Sequence, residues 1–222
     1  MVGGLGVVIA GCTEQGRPLL VRPGAPWPSA PVRLQTVTET AYLPPLQAPI
    51  RRVAALQVLP RQMWAKGAPI RRRLNPMHAI KQITVHHEGW DKVTFTDLAT
   101  TARRLEAIRK SHLKRLGAGD IGYHFIIDRA GNLWEGRKES YQGAHVRNHN
   151  PHNLGVMVLG NFDEQEPADI QYVALRDTLF KLMHRYAIGP RHIYTHQELM
   201  PTACPGWHLQ HHMLDLRPRL SA

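Results

Sequence analysis

Two short β-branched segments of the chain each run directly into histidine. Residues 83–85 (Ile-Thr-Val) precede His86 and His87, and residues 193–195 (Ile-Tyr-Thr) precede His196. β-Branched and aromatic residues favour strands, and strands hold functional side chains more rigidly than loops do. We therefore expect a β-sheet that delivers imidazole side chains to the ends of its strands.

Further strands alternate with amphipathic helices along the chain. Apolar and hairpin-like patterns predict strands at 123–127, 133–135 and 154–159. Apolar side chains at intervals of three and four predict helices at 96–116 and 168–187. This alternation predicts an α/β fold, in which one domain has a central mixed β-sheet flanked by helices.

Three metal-ligating side chains stand at positions that local structure should hold still. His86 and His196 follow the predicted strands, and Cys204 precedes Pro205 and Gly206, which favour a turn. Imidazole nitrogen and thiolate sulfur are preferred donors to Zn²⁺, and three protein ligands leave the fourth position of a catalytic site open. The chain contains 14 histidines. Spacing alone therefore leaves open the alternative of two hydrogen-bonded core histidines and an inert buried thiol.

Five motifs follow one another in one order. They are ITVHH (83–87), DIGYHFIIDRAGNLWEGR (120–137), GAH (143–145), LGVMVLGNF (154–162) and THQELMPTACPG (195–206). Together they resemble the type 2 N-acetylmuramoyl-L-alanine amidases, a family that includes peptidoglycan recognition proteins and a phage amidase-type lysozyme. The resemblance covers residues 58–216. It implies a hydrolase with one Zn²⁺ per chain that cuts the amide bond between N-acetylmuramic acid and L-alanine in peptidoglycan or muropeptides.

The resemblance also implies roles for particular side chains. His86, His196 and Cys204 match the zinc ligands, and Tyr123 matches the catalytic tyrosine of the family. Thr202 occupies a position held by lysine in the phage enzyme and by threonine in animal amidases, which makes it the second expected catalytic residue. The alternatives are a core aromatic at Tyr123 and a loop hydroxyl that satisfies backbone groups at Thr202.

Two more histidines are expected near the substrate. His145 of the GAH motif is expected to line the groove and to contact the muramyl or peptide part, with a plain surface histidine as the alternative. His87 is expected beside the substrate or behind the metal, where it would orient a ligand. Glu88 departs from the threonine that recognition proteins usually carry at this position. Some family members have lost zinc ligands and only bind peptidoglycan, so a non-catalytic recognition module is the alternative function, although Cys204 is present here.

The chain is strongly basic. Lys and Arg number 28 against 17 Asp and Glu, for a formal net charge of +11. Such a surplus favours polyanionic surroundings such as nucleic acid, anionic lipid or an acidic cell-wall polymer. No segment resembles a homeodomain, a zinc finger or an aromatic RNA-binding signature. We therefore expect peptidoglycan or muropeptides, and no nucleic acid, as the partner.

The N-terminal segment resembles a bacterial lipoprotein signal. An apolar run over residues 1–10 leads to Gly11-Cys12, and residues 9–12 match a lipobox. The run is shorter than the about 20 residues that span a bilayer, and it lacks the positive charge typical of export signals. A plain N-terminal tail or a truncated gene start are therefore the alternatives.

These features divide the chain into a signal-like segment (1–12), a proline-rich tether (13–50) and an amidase domain (51–222). In this interpretation Cys12 is lipidated and attaches the protein to a membrane. We expect the protein in the cell envelope, either periplasmic or membrane-anchored.

The lipoprotein interpretation predicts the behaviour of a single substitution. Cys12→Ser should move the protein from the membrane fraction to the soluble fraction, because the lipid acceptor is lost. Cell fractionation with mass analysis of the N-terminus checks this. Native protein that is already soluble and still begins at Met1 would contradict the anchor and leave the amidase assignment untouched.

Overall fold

Six strands form one mixed sheet in the computed structural model, which describes residues 57–220. They are β1 Val58–Leu59, β2 Gln82–His87, β3 Phe125–Ile127, β4 Leu133–Glu135, β5 Asn153–Val158 and β6 Ile193–Thr195. Their order across the sheet is β1-β4-β3-β5-β2-β6. β3 and β4 pair antiparallel, as the predicted hairpin requires, and the other neighbours pair in parallel. The predicted mixed sheet is confirmed.

The α-helices of residues 57–220 are α1 Leu98–Arg115, α2 Asp169–Tyr186, α3 His196–Leu199 and α4 Trp207–Arg219. The two predicted helices correspond to α1 and α2 and agree within two residues at each end. α1 begins where the Asp97 carboxylate accepts a hydrogen bond from the Thr100 amide, 2.8 Å away, which caps the first turn. Among residues 57–220, no helix combines the length and the apolar character needed to cross a bilayer.

The ends of two predicted strands lie elsewhere. β2 continues through His86 and His87, so the histidines belong to the strand and do not follow it. β3 begins at Phe125, which leaves Tyr123 in the turn before the strand. The predicted segments 1–12 and 13–50, and the first six residues of the predicted domain, lie outside the described residues.

Helices cover both faces of the sheet. On one face, Val85 and Val156 of the strands pack in a cluster with α2 and α4, represented by Leu175 and Met213. On the other face, α1 packs Leu105 and Ile108 in a cluster with Met157 of β5. Strands that are buried on both sides are typical of parallel pairing between helical layers. The ends of β2, β5 and β6 are therefore held firmly.

Asp128 closes the β3–β4 hairpin. Its carboxylate accepts hydrogen bonds from the backbone amides of Ala130 and Asn132, from the Asn132 side chain and from the Trp134 indole. Trp134 is 1% exposed, so water cannot replace the carboxylate as a partner for its N–H.

Removing this carboxylate should destabilise the fold. Asp128→Ala leaves buried donors unsatisfied, and we expect the free energy of unfolding to fall by about 2–4 kcal/mol in urea denaturation. Asp215→Ala is the control, because it removes only an exposed ion pair with Arg219 and should change stability by less than about 0.5 kcal/mol. Equal unfolding midpoints for the two variants would contradict the role of Asp128.

Candidate metal centre

His86 and His196 meet at one end of the sheet because of the register between β2 and β6. These strands pair in parallel with Val85 opposite Thr195, so the two histidines occupy the next position on each chain. His86 lies within β2, and His196 begins α3 directly after β6, so the pairing of the two strands brings both imidazoles together. Their ring centroids lie 4.7 Å apart.

The loop between α3 and α4 brings Cys204 to the two histidines. The Cys204 carbonyl accepts a hydrogen bond from the Gln197 amide at 2.9 Å. Gly206 packs directly on the chain after β5, where a side-chain carbon at this position would lie 2.4 Å from the Phe162 carbonyl carbon. Held on both sides in this way, the loop places the Cys204 Sγ 3.5 Å from the His86 Nδ1.

The donor set fits a zinc ion. Ligand atoms of His86, His196 and Cys204 lie within 4.8 Å of one another. Tetrahedral zinc with bonds of about 2.0–2.3 Å needs ligand atoms roughly 3.5 Å from one another. Small side-chain shifts bring the three donors to that separation. The His196 Nε2 is buried and has no hydrogen-bond partner among the described residues. A buried polar atom without a partner calls for an explanation, and a metal ion at this position provides one.

Burial controls the protonation of the three groups. Burial, with a further contribution from His145, lowers the pKa of His86 well below its usual value. Burial lowers the pKa of His196 to about 4, so both imidazoles are neutral at pH 7 and able to ligate a metal. Burial raises the pKa of the Cys204 thiol to about 12. The thiol therefore keeps its proton at neutral pH until a cation binds beside it.

Tyr123 lies beside this group of donors. Its ring centroid is 5.2 Å from that of His86, which places the phenol on the same face of the sheet as the candidate ligands. Burial raises the pKa of Tyr123 above its usual value. The hydroxyl therefore stays protonated at neutral pH and is available as a hydrogen-bond donor.

Two residues without a predicted role hold Tyr123 in place. The buried Arg137 donates hydrogen bonds to the carbonyls of residues 120–121, and the His112 Nδ1 accepts one from the Gly122 amide at 2.8 Å. The His112 ring also lies 5.5 Å from the Tyr123 ring. The sequence could have indicated that His112 points towards the protein interior, because it falls on the apolar stripe of α1. Arg137 ends the second motif, but nothing in the sequence indicates its contacts.

Thr202 lies in the same loop as Cys204. It is exposed, and its hydroxyl accepts a hydrogen bond from the Cys204 amide at 3.2 Å. This contact agrees with the alternative of a loop hydroxyl that satisfies the backbone. The catalytic role of Thr202 stays a prediction.

The two histidines expected at the substrate lie inside the protein. His87 follows His86 in an extended strand, so its ring points to the opposite face, where its Nδ1 accepts a hydrogen bond from the Phe162 amide at 3.2 Å. The ring of His145 lies behind His86, with 3.0 Å between the His145 Nδ1 and the His86 Nε2. His87 and His145 are only 6% and 8% exposed. Both therefore lie beneath the site, where contact with a substrate is not expected.

The chain that leaves β2 carries a buried carboxylate. Glu88, the residue that departs from the family pattern, accepts a hydrogen bond from the Arg104 Nε, and the Arg104 guanidinium lies 4.8 Å from the centre of the Trp90 ring. Burial raises the pKa of Glu88 to about 7, against the opposing effect of Arg104. A buried acid and a partly exposed indole therefore follow the candidate ligands directly.

Known proteins share this sequence pattern. A family model described as N-acetylmuramoyl-L-alanine amidase matches residues 76–207. An N-acetylmuramoyl-L-alanine amidase of Sus scrofa is 32% identical over 150 residues, which make up 66% of this chain and 25% of the pig protein. Peptidoglycan-recognition protein SC1a of Drosophila melanogaster is 36% identical over 108 residues, 47% of this chain and 57% of the fly protein. The chain thus spans about a quarter and about half of the length of these two relatives.

The fold is also similar to that of a solved structure. Bumblebee PGRP-SA superimposes with a TM-score of 0.65 over 72% of this chain and 94% of the bumblebee chain, at 24% sequence identity. At this identity the likeness concerns the fold alone, and it agrees with the predicted α/β architecture.

Proposed function

The chain belongs to the N-acetylmuramoyl-L-alanine amidase family, and from this membership we propose that it hydrolyses the amide bond between N-acetylmuramic acid and L-alanine in peptidoglycan or muropeptides. The convergence of His86, His196 and Cys204 within 4.8 Å carries the proposal. Two imidazoles and a thiolate with a fourth position left open are a ligand set suited to catalytic zinc. We infer one Zn²⁺ per chain as the cofactor.

The proposed reaction needs a better nucleophile than neutral water and a better electrophile than an unactivated amide carbonyl. Bound zinc supplies both, because it lowers the pKa of water towards about 7 and polarises the carbonyl oxygen. The contribution of the chain is a rigid cradle, since His86 comes from β2, His196 from the first residue after the paired strand β6, and Cys204 from an anchored loop. Such a cradle holds the scissile carbonyl in one orientation.

Tyr123 is proposed to stabilise the charge that develops on the carbonyl oxygen. The amide carbon becomes tetrahedral as water adds, and its oxygen becomes negative. A protonated hydroxyl next to His86 is suited to donate a hydrogen bond to that oxygen, and such bonds strengthen as the charge grows. Thr202 is proposed as a second hydroxyl donor, because it lies two residues before Cys204 in the same loop.

The substrate and its place in the cell follow from the same proposal. Peptidoglycan is a large polymer of the cell envelope, and a formal net charge of +11 favours residence near anionic surfaces. We propose that Cys12 attaches the protein to a membrane and that residues 13–50 serve as a tether for the amidase domain at 51–222.

A recognition module that binds peptidoglycan without cutting it is the alternative. The relative from Drosophila melanogaster is named as a recognition protein, whereas the pig relative is named as an amidase. Retention of all three donor residues and the unpartnered His196 Nε2 favour catalysis in this chain.

The proposed cofactor predicts the metal content. Protein purified without chelators should contain about one zinc per chain, measured by elemental mass spectrometry. Cys204→Ser should lose most of it, because a hydroxyl is a poor zinc ligand. His192→Ala, which removes an exposed histidine just before β6, should retain the metal. Absence of zinc from the wild-type protein would remove the proposed cofactor.

The proposed role of Tyr123 predicts a defect in rate and little else. Tyr123→Phe should lower the turnover rate on the order of 10²-fold or more, while zinc content and peptidoglycan affinity change little, because the hydroxyl acts mainly in the transition state. The assay is release of peptides that begin with L-alanine from purified muropeptides. Tyr172→Phe in α2 removes a hydroxyl from the opposite face of the sheet and should keep the wild-type rate.

The results of these measurements distinguish an amidase from a recognition module. Wild-type protein that holds zinc and binds peptidoglycan but releases no such peptides would support the recognition module. A fully active Tyr123→Phe variant would leave zinc catalysis standing and remove the role of its hydroxyl.

A further inference from the structure

His145 stands in a row of buried hydrogen bonds that leads from the candidate metal centre into the sheet. Its Nδ1 lies 3.0 Å from the His86 Nε2, and its Nε2 lies 3.3 Å from the Asn153 carbonyl oxygen. Exposed fractions are 1% for His86, 8% for His145 and 0% for Asn153. With so little access to water, these groups depend on one another for hydrogen bonding.

The Asn153 carbonyl at the end of this row determines which ring nitrogens of His145 and His86 carry a hydrogen. A carbonyl oxygen only accepts, so the His145 Nε2 must be the donor to Asn153. The neutral His145 ring has no second N–H, so its Nδ1 accepts a hydrogen bond from the His86 Nε2. The His86 Nδ1 is then left with a free lone pair, and this is the nitrogen that lies 3.5 Å from the Cys204 Sγ.

We propose that His145 is a positioning residue that fixes the tautomer of His86, holding its hydrogen on Nε2 and presenting the Nδ1 lone pair to the metal. This inference rests on the proposed zinc function and goes beyond it, because it assigns to His145 a task at the metal ligand, away from the substrate. Histidine ligands commonly need such an acceptor for their second nitrogen.

Two glycines hold the His145 ring in the orientation that this role needs. A side-chain carbon at Gly143 would lie 2.2 Å from the His145 Cδ2, and one at Gly155 would lie 2.6 Å from the same atom. Backbone therefore stands close against the ring at two positions. Any larger residue at either position would displace the ring from His86.

The acceptor at the far end of the row is equally fixed. Asn153 is the first residue of β5 and pairs with Gln82 of β2. Its side chain accepts a hydrogen bond from the Thr84 hydroxyl at 3.0 Å and donates one to the His149 carbonyl at 2.7 Å. The carbonyl that orients His145 thus belongs to the same pair of strands that carries His86.

A matched pair of substitutions tests the proposal. His145→Asn places an amide oxygen where Nδ1 was, whereas His145→Leu has the same branching and no acceptor. Both remove the rest of the ring and leave similar cavities. We expect His145→Leu to raise the zinc dissociation constant about 10–100-fold and His145→Asn to recover most of that loss, measured by competition with a chelator.

A second measurement uses unmodified protein without metal. Nitrogen-15 NMR of the histidine rings distinguishes protonated from unprotonated nitrogens, and the wild-type His86 should carry its hydrogen on Nε2. Wild-type affinity in a folded His145→Leu variant would overturn the proposal, as would a hydrogen on the His86 Nδ1. Wild-type protein that binds no zinc would instead remove the proposed cofactor, and the NMR result would still decide the tautomer.

Discussion

The parallel register of β2 against β6 is the constraint on which the candidate metal centre depends. With Val85 opposite Thr195, the next residue of each chain is a histidine, His86 within β2 and His196 at the start of α3, and the two rings lie side by side. A slip of one residue would turn one imidazole to the opposite face of the sheet. Helices on both faces bury these strands and prevent such a slip, so the apolar core sets the geometry of the polar site.

At the end of the sheet where His86 and His87 lie, the two faces differ in the partners of their side chains. His87 turns to the face that α2 and α4 cover and forms a hydrogen bond with the chain after β5. The other face holds His86, Tyr123 and His145, with polar partners behind them. Buried polar groups destabilise a fold unless they are satisfied, and here His145 contacts the His86 ring on one side and the Asn153 carbonyl on the other. Tyr123 packs in addition against the apolar cluster of α1 and β5 on this face.

The elements that could be predicted from the sequence are those set by the conformational preferences of residues close together in the chain. The β-branched run before His86 and the three-and-four spacing in α1 are properties of neighbouring residues, and both elements were found. The convergence of His86, His196 and Cys204 was also predicted, because donor chemistry and motif order coincide at those residues. We expected His87 beside the substrate or behind the metal, without applying the strand alternation that turns its ring to the face opposite His86. No local pattern indicates that His145 lies behind His86, because that contact depends on how the chain after β4 passes beneath the sheet end.

The three candidate ligands are spread widely along the chain, with Cys204 lying 118 positions after His86. His86 therefore precedes by far, along the chain, the strand β6 that pairs with its own strand. The three side chains meet where β6 pairs with β2 and where the loop after α3 packs against the chain after β5. Coordination of one ion by all three candidate ligands therefore requires a chain that has folded through Cys204.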